Sequence, residues 1–575
     1  MSKGPSKDYY DNEEPKEQKF LIVGVDYGTT FSGVSYVFSD KTRVEDVEIL
    51  DQWGSTNSHQ KQVPSRIAYE PSVTWGYGVE PGQIAYCWTK LLLDKDAPPT
   101  EHDDRLLRTD LGPGFKALYK KKSAQRVVQD YLELLYQHIM SELTRKLSGP
   151  ILNLTPIHFW FTYPALWSVK AQSATKDAAL AAGFASRRSD EIHLIKEPEA
   201  GAIACLSAQA YSQHALIRDL ASYKISRKHP NLKLEQICVS EGGKCGSTTI
   251  DRAFLALMQR RFGEAFQKLP EKKRGINSKF MAEFESAKRD FNDPRIPRTH
   301  RLHLKMDVGN CRYYDAEDEE VLLSSQDMKE LFDPTIDKII SLTHNQIEQT
   351  EAQSLDVKAR YELLVGGFGE SRYLYRRLYH ESDPKGIAVF NPPKSARWDA
   401  VCLGAAFRGI KGTLVGEKKS RSHIGLQVAR PFRQGIDSES DAWIDEFRDK
   451  KMARGYMQWI IAKGETITLK TAKAFSRIRL ISDDDFNRIL ELNIYECSLN
   501  CAPDTDDNPA VMNVGTIEYV LANIDEQSVN SIEKPNGTFH ELCFEVVIIP
   551  EDDLGYMHFR TEANGIVIGT AVLKI

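Results

Sequence analysis

The sequence predicts an α/β protein that ends in a β-rich region, and three observations support this. Two apolar, β-branched runs, residues 21–25 and 34–37, flank a small polar turn and predict a β-hairpin. Apolar residues at helical spacing predict an amphipathic core helix over residues 125–147. From residue 422 onward the pattern changes to short alternating strands, for example at 458–461. We therefore expect helices and strands to mix in the first two thirds of the chain.

The composition excludes several classes of protein. The chain has 575 residues, long enough for several domains, and a net charge of −6 that gives no footprint of nucleic-acid binding. No stretch approaches the roughly 20 apolar residues that span a bilayer, and the polar start is unlike a signal peptide. The nine cysteines are scattered and odd in number, which favours free thiols in a reducing cytosol. We expect a cytoplasmic protein that binds neither nucleic acid nor membrane.

The turn of the first hairpin is a candidate phosphate site. Glycine lets the backbone come close to an anion, and successive N–H groups in a tight turn form a concave anion site. A carboxylate at the strand end suits the water shell of Mg²⁺, and a threonine suits a phosphate or an attacking water. The residues concerned are Asp26, Gly28, Thr29 and Thr30. The alternative is an ordinary hairpin with a Gly-Thr turn.

This hairpin resembles the first phosphate motif of the actin-like ATPase superfamily. Its Asp-x-Gly-Thr-Thr, followed by a serine, is closest to the 70-kDa heat-shock chaperones. The resemblance implies a two-lobed actin-like ATPase fold with ribonuclease H-like repeats. It also implies ATP or ADP and Mg²⁺ as cofactors, bound in the cleft between the lobes.

Residues 87–94 lie where the family has a lysine that faces the γ-phosphate, and Lys90 is the candidate. A lysine there stabilises charge on the transferring phosphoryl group. The alternative is that Lys90 only fringes an apolar helix. Further on, Glu197 matches the carboxylate that family members direct at the metal's water shell, and Ala200 and Gly201 match a close helix crossing. The resemblance thus implies that Lys90, Glu197 and Thr29 are catalytic.

The second phosphate hairpin of the family is incomplete. Family members carry Asp-x-Gly-Gly-Gly-Thr-x-Asp between two strands, whereas residues 214–225 retain the strands without the glycine turn. Asp219 can stand for only one of the two aspartates, so the metal candidates are Asp26 and Asp219. We expect ATP hydrolysis to be lost or weak, and binding to survive on the remaining contacts.

We expect Gly242 and Gly243 to lie at a helix N-terminus, where backbone N–H groups and the helix dipole suit a phosphate. The alternative is a simple turn before a helix. This segment most resembles a divergent, largely fungal branch of the chaperone family, with its Gly-Gly-x-Cys-Gly-Ser.

Two further segments resemble the family's adenosine contacts. A Glu-x-Ala-Lys-Arg helix forms one wall of the adenine pocket in the chaperones, although such a stripe is ordinarily a solvated, salt-bridged face. A Val-Gly-Gly loop ending in arginine approaches the adenosine and flanks the base. The matching residues are Glu285, Lys288, Arg289, Gly366, Gly367 and Arg372.

The resemblance also divides the chain into regions. The end of the sequence is similar to a hairpin of the chaperone β-sandwich, and we expect no helical lid after it. The predicted regions are a disordered tail (1–18), a nucleotide-binding domain (19–410), a linker (411–422) and a substrate-binding-like β domain (423–575).

Together these features predict an ATP-binding, chaperone-like protein of the 70-kDa heat-shock family. Its expected partners are adenine nucleotide and polypeptide clients or co-chaperones, in protein folding and stress response. The alternative is a nucleotide-binding scaffold or sensor without turnover.

Overall fold

A computed structural model provides the structure of the chain. It describes residues 19–54, 59–94, 122–208, 215–218, 221–227, 232–243, 246–353, 359–364, 366–390, 399–412, 415–445, 448–468, 472–522, 524, 529–535, 537–549 and 556–574. The predicted disordered tail at 1–18 lies outside these ranges.

The first part of the chain forms a six-stranded sheet and a small three-stranded one. The elements are β1 (Leu21–Tyr27), β2 (Phe31–Phe38), β3 (Glu48–Ile49), β4 (Gln62–Pro64), β5 (Arg66–Ala68), β6 (Thr74–Trp75), β7 (Tyr86–Cys87), α1 (Ala124–Leu147), α2 (Gly149–Leu154), β8 (Ile157–Tyr163), α3 (Val169–Ala181), β9 (Glu191–Lys196) and α4 (Glu197–Ala208). The large sheet has the order β3-β2-β1-β8-β9, with β4 on β2, and the small one has the order β6-β5-β7.

The middle part forms a seven-stranded sheet, a three-stranded sheet and a helical layer. The elements are β10 (Ala215–Arg218), β11 (Ala221–Arg227), β12 (Lys233–Gln236), α5 (Thr248–Gln267), α6 (Glu271–Arg274), α7 (Lys279–Asp290), β13 (Thr299–His303), β14 (Tyr314–Asp315), β15 (Glu320–Ser324), α8 (Ser325–Gln353), β16 (Ala359–Leu363), α9 (Arg372–Ser382), β17 (Ala388–Phe390), α10 (Ala400–Lys411) and β18 (Val415–Lys419). The order β17-β16-β10-β11-β12-β18 continues to a strand from the last part of the chain.

The last part is rich in strands, as the sequence predicts. The elements are β19 (His423–Pro431), β20 (Ala442–Asp445), β21 (Lys450–Ile461), β22 (Thr466–Thr468), β23 (Lys473–Ser482), β24 (Ile489–Cys497), β25 (Val511–Val520), β26 (Asn530–Lys534), β27 (Gly537–Ile549), β28 (Tyr556–Ala563) and β29 (Ile566–Lys574). All except β22 form one ten-stranded sheet, in the order β20-β21-β19-β24-β25-β29-β28-β27-β23 with β26 on β27. Asn564 and Gly565 both have positive φ (49° and 77°), as a two-residue hairpin turn requires.

The six-stranded sheet is covered on both faces. Alternate residues of β1 and β8 pack against α1 and α3 on one side, where Val23, Phe159 and Phe161 are fully buried. The opposite face packs against α4 and α10 through Ile22 and Trp160. Because both faces are buried, β1 and β8 consist of near-continuous apolar runs.

Helices α4 and α10 cross at very short distance. A Cβ atom on Gly404 would lie 1.6 Å from the carbonyl oxygen of Ala200. The crossing predicted at Ala200 and Gly201 is therefore made by Ala200 with Gly404, which comes from far along the chain. Gly24 of β1 is equally confined, because its Cβ would lie 2.3 Å from the carbonyl oxygen of Cys402. These contacts fix α10 over the strand that carries the first phosphate turn.

Replacing Gly404 by alanine should therefore destabilise the protein. Helix α10 would have to move away from α4, and overpacking of this kind costs roughly 1–3 kcal/mol or more in the free energy of unfolding. Denaturant unfolding of Gly404→Ala and of Gly416→Ala measures the effect. Gly416 is a matched control, because a Cβ there would meet no atom within 4 Å. Equal unfolding midpoints for the two variants would contradict the tight crossing.

The residues predicted as a linker contain a strand. β18 pairs parallel with β12 through Leu234 and Val415, and antiparallel with β22 through Glu417 and Thr468. The polar composition of residues 411–422 suggested a connector, but the Val415 side chain is buried in the core beside the seven-stranded sheet. No helix in the described part of the chain is long and apolar enough to cross a membrane.

Candidate functional site

The first phosphate turn lies between two tightly paired strands. β1 and β2 pair up to Tyr27 and Ser32, which leaves a short turn that contains the half-buried Thr29 and Thr30. A Cβ on Gly28 would lie 2.1 Å from the carbonyl oxygen of Phe31, so that only glycine fits there. The turn is thus a close-backbone feature of the kind that anion sites use.

Asp26 stands at the end of β1, beside this turn. Its Oδ1 accepts a hydrogen bond of 2.8 Å from Oγ1 of Thr162, a residue near the end of the neighbouring strand β8. This bond fixes the position of the carboxylate. Thr162 is itself fully buried, so its hydroxyl has little freedom to turn elsewhere.

Lys90 and Glu197, both predicted to be catalytic, form an ion pair. Lys90 lies in a 3₁₀ turn (Thr89–Leu92), and its Nζ donates to Glu197 Oε1 at 2.5 Å. The side chain of Lys90 is only 3% exposed, and its Nζ lies 5.6 Å from the centre of the Trp167 ring. A hydrogen bond of 2.7 Å between Tyr27 and Thr89 connects the 3₁₀ turn to β1. Lys90 is therefore a buried, paired cation in a short 3₁₀ turn beside the first hairpin.

The predicted adenine-wall residues form a second charge cluster on α7. Lys288 Nζ lies 2.6 Å from Asp251 Oδ1 of α5 and 2.6 Å from Glu285 Oε2. Arg289 Nε donates to the other oxygen of Glu285 at 2.7 Å. Since Lys288 is 7% exposed, this stripe differs from an ordinary solvated face.

Burial and neighbouring charges shift the pKa values of the groups in this cluster. Burial alone would lower the pKa of Lys288, but Asp251 and Glu285 raise it above its ordinary value. Burial alone would also raise the pKa of Glu285, yet Lys288 and Arg289 hold it below its usual range. For Asp251 the burial dominates and raises the pKa. The cluster therefore depends on Lys288 as its central cation.

Two cation–aromatic contacts connect helices α5 and α7 to the first part of the chain. The guanidinium carbon of Arg289 lies 5.6 Å from the centre of the Phe31 ring, directly after the phosphate turn. The guanidinium of Arg252 on α5 lies 5.4 Å from the centre of the Trp88 ring, two residues before Lys90. Both distances lie within the range of cation–π interactions. One predicted adenine-wall residue, Arg289, thus lies near the residue that follows the candidate phosphate turn.

The second glycine pair lies elsewhere than predicted. Helix α5 begins at Thr248, so Gly242 and Gly243 precede it by several residues and do not form its N-terminus. A Cβ on Gly242 would lie 2.8 Å from Leu166 Cδ1, in the segment that follows β8. Packing against Leu166 explains why a glycine is needed at this position.

The predicted adenosine loop leaves space around its glycines. Gly366 has a φ of +88°, and a 3₁₀ turn (Gly367–Glu370) follows it. A Cβ on Gly366 or on Gly367 would meet no atom within 4 Å. Arg372 is exposed and begins α9.

A shared aromatic core links this loop to α7. The ring centres of Phe368 and Phe332 are 6.5 Å apart, and those of Phe291 and Phe332 are 5.0 Å apart. Phe368 belongs to the loop, and Phe291 directly follows α7. The loop and the charge cluster are therefore supported by the same core.

The second hairpin has the short connection that the sequence predicts. β10 and β11 pair antiparallel as far as Arg218 and Ala221, so only Asp219 and Leu220 join the two paired ends. Those two residues lie outside the described ranges, and the metal role predicted for Asp219 stays a prediction.

Three residues at this site were missed by the sequence reasoning. Thr162 positions Asp26, Trp167 lies beside Lys90, and Asp251 pairs with Lys288. Asp251 carried a signal that could have found it, because it is an acidic residue between the buried apolar residues of α5. Its partner on another helix could not be read from local pattern.

The chain is similar over most of its length to proteins of the 70-kDa heat-shock type. The chain is 24% identical to Heat shock 70 kDa protein 12A of Mus musculus over 513 residues, which covers 73% of this chain and 74% of that protein. It is 23% identical to Heat shock 70 kDa protein 12B of Homo sapiens over 521 residues, which covers 73% of each. It is 24% identical to Chaperone protein DnaK of Thermoplasma volcanium over 402 residues, which covers 68% of this chain and 59% of that protein. No protein-family profile matches the chain.

Proposed function

We propose that this protein binds an adenine nucleotide with Mg²⁺ beside the first hairpin, and that it hydrolyses the nucleotide slowly or not at all. The observation that supports this best is the approach of Arg289 to Phe31, at 5.6 Å. It places an adenine-wall candidate against the residue that directly follows the candidate phosphate turn. The similarity to 70-kDa heat-shock proteins over most of the chain adds independent support.

The residues present fit a nucleotide with its metal. Mg²⁺ prefers oxygen ligands and keeps several waters, so one or two carboxylates suffice to hold it through its water shell. Asp26 at the end of β1 and Glu197 after β9 supply carboxylate oxygens, and Lys90 supplies a buried ammonium. When bound, Mg²⁺ neutralises charge on the phosphates. Lys90 then stabilises the remaining phosphate charge, and Thr29 orients a phosphate or a water.

The short β10–β11 connection argues against rapid turnover. A two-residue connection is too short to contain the glycine turn with which family members hold the phosphates from the second side. This observation favours the second candidate function, a nucleotide-dependent scaffold or sensor without turnover. Four further points remain proposals: polypeptide clients, co-chaperones, a cytoplasmic location, and membership of the largely fungal branch of the chaperone family.

Gly367→Asp should weaken ADP binding by about tenfold or more. The change places a carboxylate where the backbone is proposed to face the adenosine. Bound ADP would bury this carboxylate without a partner, and an unpaired buried polar group costs about 1–3 kcal/mol. Gly367 is a better test than Gly366, because the positive φ of Gly366 would strain any side chain there. Calorimetry with ADP and Mg²⁺ gives the dissociation constants.

Gly309→Asp is the matched control for this experiment. Gly309 is exposed, and a Cβ there would meet no atom within 4 Å. We expect Gly309→Asp to bind ADP like the parent. If Gly367→Asp also binds as tightly as the parent, the adenosine assignment is wrong.

A further inference from the structure

Three side chains with metal-binding groups meet on β8 and β9. His158 lies directly opposite Glu191 in the parallel pair, and His193 is two residues further along β9. Because side chains alternate along strands, these three residues share one face of the sheet. One ligand atom from each lies within 4.8 Å of the others, and His193 Nε2 lies 3.1 Å from Glu191 Oε2.

We propose that His158, Glu191 and His193 bind a divalent transition-metal cation of the zinc class. Two imidazoles and one carboxylate form a donor set that Zn²⁺ uses, with a water as the fourth ligand. With metal–ligand bonds of about 2.0–2.2 Å, a tetrahedral site needs ligand atoms about 3.3–3.6 Å apart. The His193–Glu191 distance is already near this spacing, and torsions of the exposed Glu191 side chain can close the remainder.

Aromatic neighbours hold both imidazole rings in place. Phe20 stacks on His158 with ring centres 4.1 Å apart, and Trp160 stacks on His193 with ring centres 4.7 Å apart. The His193 side chain is 5% exposed, whereas Glu191 is 56% exposed. The site therefore has two oriented ligands on the inner side and one adjustable ligand at the surface, where a cation enters. Ordered imidazoles lower the conformational entropy lost on metal binding.

This site is separate from the proposed nucleotide site. His158 lies beside Ile22 of β1, whereas Asp26 is four residues further along the same strand. At about 3.3 Å per residue, the two positions are about 13 Å apart. The inference therefore does not depend on the proposed function.

A bound cation would fasten β9 to β8. In the described sheet β9 has β8 as its strand neighbour, and α4 begins with Glu197 directly after β9 ends. The cation would add a cross-strand connection near the beginning of the edge strand. We therefore expect metal binding to raise the thermal stability of the protein as well as to release heat.

The test is Zn²⁺ titration of the full chain without an affinity tag, after removal of metals and nucleotide. Calorimetry and the shift of the melting temperature are the two readouts, and Mg²⁺ is titrated in parallel. We expect Zn²⁺ binding that Mg²⁺ does not reproduce, because Mg²⁺ prefers all-oxygen ligands. Glu191→Gln and His158→Gln should each weaken Zn²⁺ binding by at least about tenfold. Loss of a residue that only hydrogen-bonds to a metal ligand already weakens metal binding by about that factor. Both should also abolish most of the melting shift.

His59→Gln is the matched control. His59 is exposed and pairs with Asp51 at 2.7 Å, and within the described ranges this pair belongs to no group of three metal-binding side chains. The His59→Gln variant should bind Zn²⁺ as tightly as the parent. Glu191 and His158 are preferred to the buried His193 because their replacement leaves the core intact, which circular dichroism verifies. Equal Zn²⁺ affinity in the parent and both variants, or binding no tighter than that of Mg²⁺, would overturn the proposal.

Discussion

Replacing Asp219 with the family's Asp-x-Gly-Gly-Gly-Thr-x-Asp turn should raise the rate of ATP hydrolysis by about two to three orders of magnitude. Removal of one preorganised donor from a catalytic site typically costs that factor. The native connection between β10 and β11 has only two residues beyond the paired ends. The insertion would restore a row of backbone donors and a second aspartate opposite Lys90 and Glu197. A single-turnover assay measures the rate for the parent and the insertion variant.

Two further variants make this result specific. Lys90→Ala in the insertion variant should lower turnover again, because the buried ammonium beside Glu197 would be lost. An insertion of equal length without glycine or aspartate should leave the rate at the parent's level. Rapid hydrolysis by the parent that Asp26→Ala abolishes would show that the missing turn is dispensable. Tight ADP binding with no turnover in the parent would favour the sensor over the enzyme.

Lys288→Met should lower the free energy of unfolding by about 3–5 kcal/mol. Removing one partner of a buried ion pair leaves an uncompensated charge, which costs this amount. Here the loss would leave Asp251 without its cation inside the interface between α5 and α7, beside the stacked rings of Phe254 and Phe284. Hydrogen exchange of the α5 and α7 amides measures the change locally.

A second change and a control separate charge from packing. Asp251→Asn in the Lys288→Met background should recover most of the lost stability, because it removes the unpaired carboxylate. Lys268→Met is the control, since Lys268 pairs with Glu264 on the exposed surface of α5 (77% and 80% exposed). Exposed pairs contribute about 0–1 kcal/mol. A similar loss of stability in Lys268→Met and Lys288→Met would contradict the role of burial.

Local patterns predicted much of the fold. The helix predicted over 125–147 is α1 (Ala124–Leu147). Such elements are encoded by residues three or four apart, so one sequence suffices to find them. The first hairpin was found because two apolar, β-branched runs flank a short polar turn, which is also a local pattern.

Features that depend on distant residues could not be predicted. The strand at 415–419 needs β12 and β22 as partners, and its own composition is polar. Asp251 and Lys288 meet only because two helices pack, and His158 meets Glu191 only through the register of β8 and β9. Gly242 and Gly243 were predicted to lie at a helix N-terminus, whereas α5 begins at Thr248. The residue at which α5 begins depends on tertiary packing, which the local sequence does not show.

The strand β18 has a mechanical consequence. It is hydrogen-bonded to β12 on one side and to β22 on the other, and β22 lies in the chain between two strands of the ten-stranded sheet. A flexible linker would allow the ten-stranded sheet to move independently of the seven-stranded sheet. Here such a movement would have to break several backbone hydrogen bonds together, each of which contributes about 0.5–1.5 kcal/mol. Arg421 adds a further restraint through its 2.7 Å bond to the carbonyl oxygen of Trp167, the ring beside Lys90. We therefore expect the junction to be stiff, so that a tilt of the seven-stranded sheet would move the ten-stranded sheet with it.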